Sequence, residues 1–408
     1  MTANGYLESL AAFGMRLGLE RISALLEELG NPQERLDAIH VVGTNGKSST
    51  VRFGAAALTA SGLRTGAYLS PHVIGWDERV QVDGRPIGPA ALAVALDRVQ
   101  DAARAVEASL GEGPTQFEAL TAAAFLSLAE AGVEACVVEA GLGGRHDATR
   151  VVEARIVGLT NVGLDHQRVL GATRELILAE KVAVLEPGAA LCVGVVDDEL
   201  YERAAALAAE AGATFERIAP GAGEGLPLAA RYQRDNAALA LRLAELWLEP
   251  RPLNREAAAV ALAGAVPPGR LELIGDAPAI LLDGAHNAEG MRALVGELDG
   301  ALGSRRPRVG VLALQDDKPV RAMLDSLAPA LDALVATSSG HAGHARALPA
   351  AELAAAARAA GFAEVVAEPD PAAALARARE RAGAGGAVLV AGSLYLLERL
   401  RTAALEAS

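Results

Sequence analysis

A glycine-rich turn near residue 45 is the segment of this sequence best suited to bind a phosphate group. The run 41–50 reads VVGTNGKSST, so an apolar strand leads into glycines, a lysine and hydroxyl side chains. A turn of this kind at the start of a helix points backbone N–H groups at an anion, and the Lys47 ammonium adds a mobile positive charge. Val41 stands where the first glycine of the G-x-x-x-x-G-K-[ST] motif would be. The segment therefore predicts a phosphate-binding turn, and an ordinary glycine-containing strand–helix turn is the alternative.

Polar or glycine-rich segments follow four other apolar runs, at the points where strands are expected to end. These segments are Ser70–His72, Glu139–Arg145, Asn161–His166 and Asp283–Asn287. Ligands of open α/β sheets bind beside the carboxyl ends of the strands, so the segments are expected at the binding edges of sheets. Four of the seven histidines lie in loops directly after predicted strands: His72, His146, His166 and His286. Each segment taken alone also fits a tight turn. His341 and His344 are interpreted as loop residues without cysteine partners.

Lysine is rare in this chain, which makes the position of each one informative. Lys47, Lys181 and Lys318 are the only lysines among 37 basic residues, and the others are arginines. Lysine is a compact charge whose amine can lose its proton, whereas arginine is a fixed planar cation. A retained lysine can therefore mark chemistry that arginine cannot perform, and biased codon usage is the alternative. Lys181 lies on a predicted helix, where it fits either a half-buried amine or a side chain that extends to solvent.

Short apolar runs alternate with alanine- and leucine-rich helical segments through the first 265 residues. Strands are predicted over Leu36–Val42, Thr65–Leu69, Ala135–Glu139, Ile156–Thr160 and Ala190–Val195. Helices are predicted over Ser48–Ser61, Pro89–Glu107, Thr115–Ala131 and Arg174–Leu185, and a hairpin over Val80–Ile87. Strands that are apolar on both faces and separated by helices indicate a parallel sheet covered on both sides.

A Pro-Pro-Gly sequence at 267–269 interrupts a long helical region, and the alternation then restarts. Further strands are predicted over Ile280–Asp283, Arg308–Ala313, Ala333–Thr337 and Ala387–Ala391. We therefore predict an α/β protein of two domains. Residues 1–265 would form a P-loop-containing parallel sheet with helices on both faces, and residues 266–408 a smaller, Rossmann-like α/β domain.

Composition excludes several classes of function. The 408 residues include 37 basic and 51 acidic side chains, which gives a net charge of −14. This acidity argues against a protein that coats nucleic acid or anionic membrane, but a local cationic pocket can still bind a small anion. The longest uncharged stretches, such as Ala257–Gly269, are shorter than the about 20 residues that span a bilayer. The N-terminus lacks an export-signal pattern, and Cys136 and Cys192 lie in apolar runs. We therefore expect a cytoplasmic protein with two buried thiols.

Taken together, these segments resemble the folylpolyglutamate synthase and dihydrofolate synthase family, of the bacterial bifunctional type, a branch of the ATP-dependent Mur ligases. The matching segments are Phe13–Gly14, Leu19–Ile22, Gly43–Ser49, Ser70–His72, Gly141–Thr149, Leu164–His166, Glu180–Lys181, Asn236–Ala238, Pro268–Glu272, Asp283–Asn287, Asp317–Lys318 and Gly392–Tyr395. Their order over nearly the whole chain is far more specific than any single motif. All three lysines lie within or beside these motifs, which favours a chemical reason for their retention.

The resemblance implies a set of site residues. An N-terminal domain of the Mur central type would bind ATP through Gly43, Thr44, Asn45, Gly46, Lys47, Ser48, Ser49, Asn236, Arg270 and Asp283. Ser70 and Glu118 would hold one Mg²⁺. His166 would help to hold a second, where carbamylated Lys181 would take part. The pterin or folate would contact Pro71, His72 and Arg79. The catalytic set would be Lys47, His166, Lys181, Asp283 and His286. Glu118 also fits a simple helix-capping role, because it lies at the start of a predicted helix.

The reaction that the resemblance implies is ATP-dependent activation of an acid. A substrate carboxylate would attack the γ-phosphate to give an acyl phosphate, and the amine of L-glutamate would then displace phosphate. The protein would supply positioning and positive charge that offset the repulsion between two anions. The implied partners are small molecules only: ATP, L-glutamate and dihydropteroate or a reduced folate. No nucleic acid or membrane partner is implied, and the family resemblance suggests a monomer.

Two other functions stay open from the sequence. One is a Mur-type ligase that acts on a different carboxylic acid, against which the Ser70–His72 loop counts. The other is a nucleotide-binding protein that keeps the fold without turnover, against which the intact catalytic set counts. Departures from the family pattern, such as Ser48 for glycine and Arg150 for asparagine, affect substrate preference more than reaction class. Whether Ser48 or Ser49 faces the metal stays open.

Overall fold

A computed structural model of the chain describes residues 3–10, 16–339 and 346–406. Its contacts divide the chain into two compact units: Met1–Pro71 with Gly75–Pro267, and His72–Ile74 with Pro268–Ser408. The predicted boundary between residues 265 and 266 lies two residues before the boundary between Pro267 and Pro268, where the chain passes from the first unit to the second. The three-residue segment that groups with the second unit was not predicted. Four residues singled out in the sequence lie outside the described residues: Phe13, Gly14, His341 and His344.

The first unit is built on an eight-stranded sheet. Its strands are β1 (Ala38–Val42), β2 (Thr65–Tyr68), β3 (Val80–Val82), β4 (Arg85–Pro86), β5 (Ala135–Glu139), β6 (Ala154–Leu159), β7 (Ala190–Val193) and β8 (Thr214–Arg217). Their order across the sheet is β4-β3-β2-β5-β1-β6-β7-β8. All neighbours pair in parallel except β2 with β3 and β3 with β4, which are antiparallel. The predicted parallel core is confirmed, and it carries an antiparallel hairpin at one edge.

Helices cover both faces of this sheet. They are α1 (Ala3–Leu10), α2 (Glu20–Glu28), α3 (Lys47–Ala60), α4 (Pro89–Leu110), α5 (Gln116–Ala131), α6 (Gln167–Leu170), α7 (Arg174–Val182), α8 (Asp198–Glu210), α9 (Arg231–Leu248) and α10 (Arg255–Gly264). Side chains of a strand point alternately to the two faces. In β5, Cys136 and Val138 pack into a core with α2, α4 and α5, whereas Ala135 and Val137 pack into a core with α3, α9 and α10. Strand β5 is thus apolar on both faces because each face packs into a different core.

The second unit contains a six-stranded sheet. Its elements are β9 (Glu272–Ile274), β10 (Ala279–Leu282), α11 (Ala288–Leu302), β11 (Arg308–Leu312), α12 (Val320–Leu327), β12 (Ala333–Ala336), α13 (Ala350–Ala359), β13 (Val365–Ala367), α14 (Pro371–Ala382), β14 (Ala387–Ala391) and α15 (Leu394–Glu406). The strand order is β13-β12-β11-β14-β10-β9, and only β9 is antiparallel to its neighbour. Buried side chains form a core on each face of the sheet. The predicted Rossmann-like α/β arrangement is confirmed.

Two predictions from composition can be compared with these elements. Cys136 and Cys192 are both buried free thiols, as expected from the apolar runs in which they lie. Within the described ranges, no helix is long and apolar enough to cross a membrane.

Candidate active site

The glycine-rich turn connects the end of β1 to the first residue of α3. Gly46 precedes the helix with φ +83°, and Gly43 has φ +151°, both in the region of backbone conformation that favours glycine. A Cβ atom at Gly43 would collide with the side chain of Thr160, and one at Gly46 with the amide of Asn236. Both glycines are therefore required, because the turn passes directly against the end of β6 and the side of α9. This contact also places Asn236 beside the turn.

The turn is held in place by the loop that follows β6. The backbone N–H of Thr44 donates to the carbonyl oxygen of Asn161 at 3.1 Å, and the N–H of Asn45 donates to its side-chain oxygen at 2.9 Å. In the other direction, Thr160 Oγ1 donates to the carbonyl oxygen of Asn45 at 2.6 Å. The N–H of Gly163 donates to Thr44 Oγ1 at 3.0 Å. Two of the predicted strand-end loops thus form one hydrogen-bonded structure.

Two of the three lysines meet at a single carbonyl group of this turn. Lys181 Nζ, which is buried, donates to the carbonyl oxygen of Gly43 at 2.7 Å. Lys47 Nζ donates to the same oxygen at 3.2 Å and to the carbonyl oxygen of Thr44 at 3.3 Å. The structure therefore brings two amino groups to the turn, where the Lys47 ammonium supplies the positive charge that an anion site requires. The scarcity of lysine in the sequence pointed to this cluster.

The environment of Lys181 favours the neutral amine. Burial, and next the charge of Lys47, lower the pKa of Lys181 to about 7, while the carboxylates of Asp165 and Asp147 act in the opposite direction. Near neutral pH a substantial fraction of this amine is therefore unprotonated. A neutral amine is a nucleophile, whereas an ammonium group is not. Lys181 is thus chemically competent for reactions that an exposed lysine with an ordinary pKa performs poorly.

A buried carboxylate lies beside the turn, at the carboxyl end of β5. Glu139 Oε1 accepts a hydrogen bond from Ser48 Oγ at 3.0 Å, and Oε2 accepts one from the backbone N–H of Ser70 at 3.0 Å. Glu139 is 2% exposed and is the last residue of its strand. It therefore joins the first turn of α3 to the loop after β2. One carboxylate with neighbouring hydroxyl groups is a donor set that suits Mg²⁺, which commonly completes its shell with water and substrate phosphates.

The contacts of Glu118 differ from those predicted. Glu118 and Thr115 form a capping box at the start of α5, in which Glu118 Oε2 accepts from the Thr115 N–H at 2.7 Å. Both carboxylate oxygens also accept from the Arg21 guanidinium at 3.1 Å, in a buried ion pair. The capping alternative is confirmed, and the carboxylate that meets Ser48 and Ser70 is Glu139. Glu118 as a metal ligand stays a prediction, and we propose Glu139 in its place because of these contacts.

His166 lies in the loop that anchors the glycine-rich turn. It has φ +50° and directly precedes α6, and its backbone N–H donates to Asp165 Oδ1 at 2.9 Å. Its side chain is exposed. Among the residues that the structure describes, no three His, Cys, Asp or Glu side chains cluster as a metal-binding group.

Three predicted residues come together within the second unit, at the carboxyl end of β10. Asp283 is buried, and its Oδ2 accepts a hydrogen bond from the N–H of Leu271 at 2.8 Å. The Arg270 guanidinium lies against Gly284, since a Cβ atom there would be 2.9 Å from Nη1. His286 Nδ1 lies 2.9 Å from the carbonyl oxygen of Gly284. The turn that carries Arg270 is thus tied to the loop that carries Asp283 and His286.

The predicted folate-binding residues fall in both units. Pro71 ends a segment of the first unit, whereas His72 groups with the second, where its Nε2 is 3.5 Å from Glu398 Oε1. Arg79 belongs to the first unit, and its guanidinium stacks over the ring of Trp76 at 4.6 Å. This cation–π contact orients the guanidinium.

The chain is similar to known proteins over most of its length. Residues 269–394 match the model of the Mur ligase, glutamate ligase domain. Over 353 residues the chain is 34% identical to the dihydrofolate synthase/folylpolyglutamate synthase of Bacillus subtilis, covering 80% of this chain and 82% of that protein. The folylpolyglutamate synthase of Mycobacterium tuberculosis complexed with ADP and AMPPCP superposes with a TM-score of 0.87 at 32% identity, covering 95% of each chain.

A second solved structure is similar over the same extent. It is a bifunctional folylpolyglutamate synthase/dihydrofolate synthase with Mn, AMPPNP and L-glutamate bound, with a TM-score of 0.85, 28% identity and coverage of 99% of this chain and 98% of that one. The similarity extends over both units and is not limited to the glycine-rich turn. This chain therefore belongs to the dihydrofolate synthase/folylpolyglutamate synthase family, whose members are ATP-dependent ligases of the Mur type.

Proposed function

We propose that this protein uses ATP to ligate L-glutamate to dihydropteroate and to the γ-carboxyl group of reduced folates, through an acyl phosphate. The observation that carries the proposal is the meeting of Lys47 and Lys181 at the carbonyl of Gly43. Glu139 supports it, because its carboxylate joins Ser48 to Ser70 beside the same turn. The Bacillus subtilis relative is named for both activities. An anion site with a metal-suited carboxylate is what the transfer of a phosphoryl group to an acid requires.

The residues of the turn have defined roles in this proposal. The backbone N–H groups at the start of α3 and the Lys47 ammonium bind the phosphates of ATP. Ser48 and Glu139 hold Mg²⁺ together with Ser70, and the ion, when bound, neutralises charge on the phosphates. Two solved relatives contain nucleotides, and one of them also contains Mn. Positioning and charge neutralisation then allow the substrate carboxylate to approach the γ-phosphate, which would otherwise repel it.

Lys181 has a separate role in the proposal. Its neutral amine attacks CO₂, a nitrogen–carbon bond forms, a proton is released, and a negatively charged carbamate results. Burial and the lowered pKa of Lys181 support this step, because they maintain the free amine that the reaction consumes. The carbamate would supply an anionic ligand that, with His166, would hold a second divalent ion. Roles at the nucleotide or substrate for Asn236, Arg270, Asp283, His286, Pro71, His72 and Arg79 stay predictions from the family resemblance.

Glu139, proposed here as the metal ligand in place of Glu118, leads to a prediction that compares variants of the two residues. Glu139→Gln should lower kcat by about 10²–10³-fold with little change in melting temperature, because it removes the metal-binding charge but keeps the shape. Glu118→Gln should keep most of the activity and lower the melting temperature, because it removes the buried one of the two carboxylates, Glu118 and Glu112, that pair with the Arg21 guanidinium. ADP release and thermal denaturation of both variants measure the two effects. The opposite pattern would restore Glu118 as the ligand.

The experiment that tests the function itself is glutamate-dependent release of ADP from Mg-ATP. It is run in parallel with 7,8-dihydropteroate and with a tetrahydrofolate. Turnover with both acids is the expected result, and turnover with only one assigns the chain to that step. If ADP is released with neither of the two acids, the proposal is overturned. That result would favour a Mur-type ligase of another acid or a nucleotide-binding protein without turnover.

A further inference from the structure

Three buried polar side chains form a connected hydrogen-bond network that begins at the middle residue of β1. His40 lies on β1, and its Nε2 is 2.8 Å from Thr149 Oγ1. Thr149 Oγ1 donates in turn to Asp147 Oδ1 at 2.5 Å. The exposed fractions are 1% for His40, 0% for Thr149 and 5% for Asp147. A buried polar network that is fully paired rigidifies its surroundings, whereas one missing a partner is unstable.

The direction of each hydrogen bond in this network is fixed by the atoms present. A threonine hydroxyl has one hydrogen, and Thr149 gives it to the Asp147 carboxylate. The hydroxyl must therefore accept from His40, so the imidazole carries its proton on Nε2. Burial lowers the pKa of His40 to about 4, which keeps the ring neutral at physiological pH. The Thr149 hydroxyl is thus the single group that joins the histidine to the aspartate.

Asp147 connects this network to the glycine-rich loop 141–144. Its Oδ2 accepts a hydrogen bond from the N–H of Leu142 at 2.7 Å, and its Oδ1 accepts one from the N–H of Thr149 at 3.0 Å. A Cβ atom at Gly141 would be 3.1 Å from Asp147 Oδ2, so the loop backbone lies directly on the carboxylate. The conformation of loop 141–144 therefore depends on Asp147 being held in this orientation.

The same loop packs against the last turn of α7. At Gly144, a Cβ atom would be 2.9 Å from the carbonyl oxygen of Glu180 and closer still to that of Lys181. The N–H of Arg145 donates to the carbonyl oxygen of Glu180 at 3.0 Å, and Arg145 Nε donates to Glu180 Oε1 at 2.8 Å. The loop thus fixes the segment from which Lys181 reaches the carbonyl of Gly43.

We propose that Thr149, with His40 and Asp147, is a positioning network that fixes Lys181 at the carbonyl of Gly43. It acts by holding loop 141–144 and the adjoining Arg145 against the last turn of α7. The three residues act through the backbone of the loop, so they are positioning residues and not catalytic ones. The consequence for turnover rests on the proposed function, whereas the placement of Lys181 does not.

Two variants of Thr149 test the proposal. Thr149→Val keeps the shape of the side chain and removes the hydroxyl that joins His40 to Asp147, whereas Thr149→Ser keeps that hydroxyl. The readout is the rate at which acetic anhydride acetylates each lysine of the folded protein in CO₂-depleted buffer, measured by peptide mass spectrometry. The chain has only three lysines, so Lys47 and Lys318 serve as internal standards.

The expected result is a selective change at Lys181. In Thr149→Val, its acetylation should become at least about tenfold faster relative to the two standards, because the unpaired buried groups favour local opening of the loop. Thr149→Ser should behave like the unchanged protein. If the acetylation rate of Lys47 rises as much as that of Lys181, the whole unit has unfolded and the role of Thr149 is merely structural. That result overturns the proposal. An unchanged Lys181 rate in Thr149→Val also overturns it.

The outcome for turnover is separable from this result. If the protein releases ADP with a folate substrate, Thr149→Val should lower kcat at a temperature where it is folded, and Thr149→Ser should restore it. If the unchanged protein releases no ADP, the proposed function fails, but the acetylation pattern still decides whether the network positions Lys181.

Discussion

Replacing Lys47 with alanine should lower kcat/KM for ATP by at least about 10³-fold while the protein stays folded. Lys47 is the first residue of α3, and its ammonium contacts two carbonyl oxygens of the turn. Its removal takes away phosphate-binding charge without opening a core. Lys47→Met is the matched variant, because it keeps the apolar stem and removes only the charge.

The two variants of Lys47 should therefore lose activity equally. ADP release measured against ATP concentration, with circular dichroism to verify folding, tests this expectation. Substantial activity in Lys47→Ala would show that the turn does not bind the terminal phosphates. Activity in Lys47→Met alone would assign the effect to packing of the side chain instead of its charge.

Replacing Lys181 with arginine should lower kcat by about 10²-fold or more, although the positive charge is retained. A guanidinium group does not lose its proton near neutral pH and so cannot form a carbamate. A role for Lys181 as a mere cation would predict a small effect of this substitution.

The carbamate has a second signature in the unchanged protein. Removal of CO₂ should lower kcat, and bicarbonate should restore it, whereas Lys181→Arg should respond to neither. Because the pKa of Lys181 is lowered to about 7, the fraction of free amine rises as the pH increases through that value. At a fixed concentration of dissolved CO₂, activation should therefore be faster at pH 8 than at pH 6. Two results together would contradict the proposed carbamate. They are a near-normal kcat of Lys181→Arg and an unchanged kcat of the parent protein when CO₂ is removed.

The central strands of both sheets were predictable because they are buried on both faces. Ala135–Glu139 and Ala387–Ala391 are found as predicted, and each has apolar side chains in two cores. The strands that prediction missed, β8, β9 and β13, all lie at sheet edges. They are three or four residues long and partly exposed, so they lack the continuous apolar run that marks a buried strand.

The candidate site was predictable where local sequence defines it. The turn at Gly43–Gly46 and the scarcity of lysine pointed to Lys47 and Lys181, and the structure brings these side chains to one carbonyl group. The choice between Glu118 and Glu139 was not predictable in this way. What favours Glu139 is the contact of Glu118 with Arg21, which lies 97 residues before Glu118 and pairs with it in the folded unit. Nothing in the spacing of residues around Glu118 reveals that partner.

The edges of the first sheet also bear on how the protein resists aggregation. An exposed edge strand is a template on which a second chain can add a strand of its own. At one edge, β4 has only two residues, and Pro86 has no N–H to offer an incoming strand. At the other edge, Glu216 and Arg217 of β8 are held in ion pairs with Arg242 and Asp198. Strand addition is therefore disfavoured at both ends of the sheet, so the parallel core that carries the glycine-rich turn is shielded from edge-to-edge polymerisation.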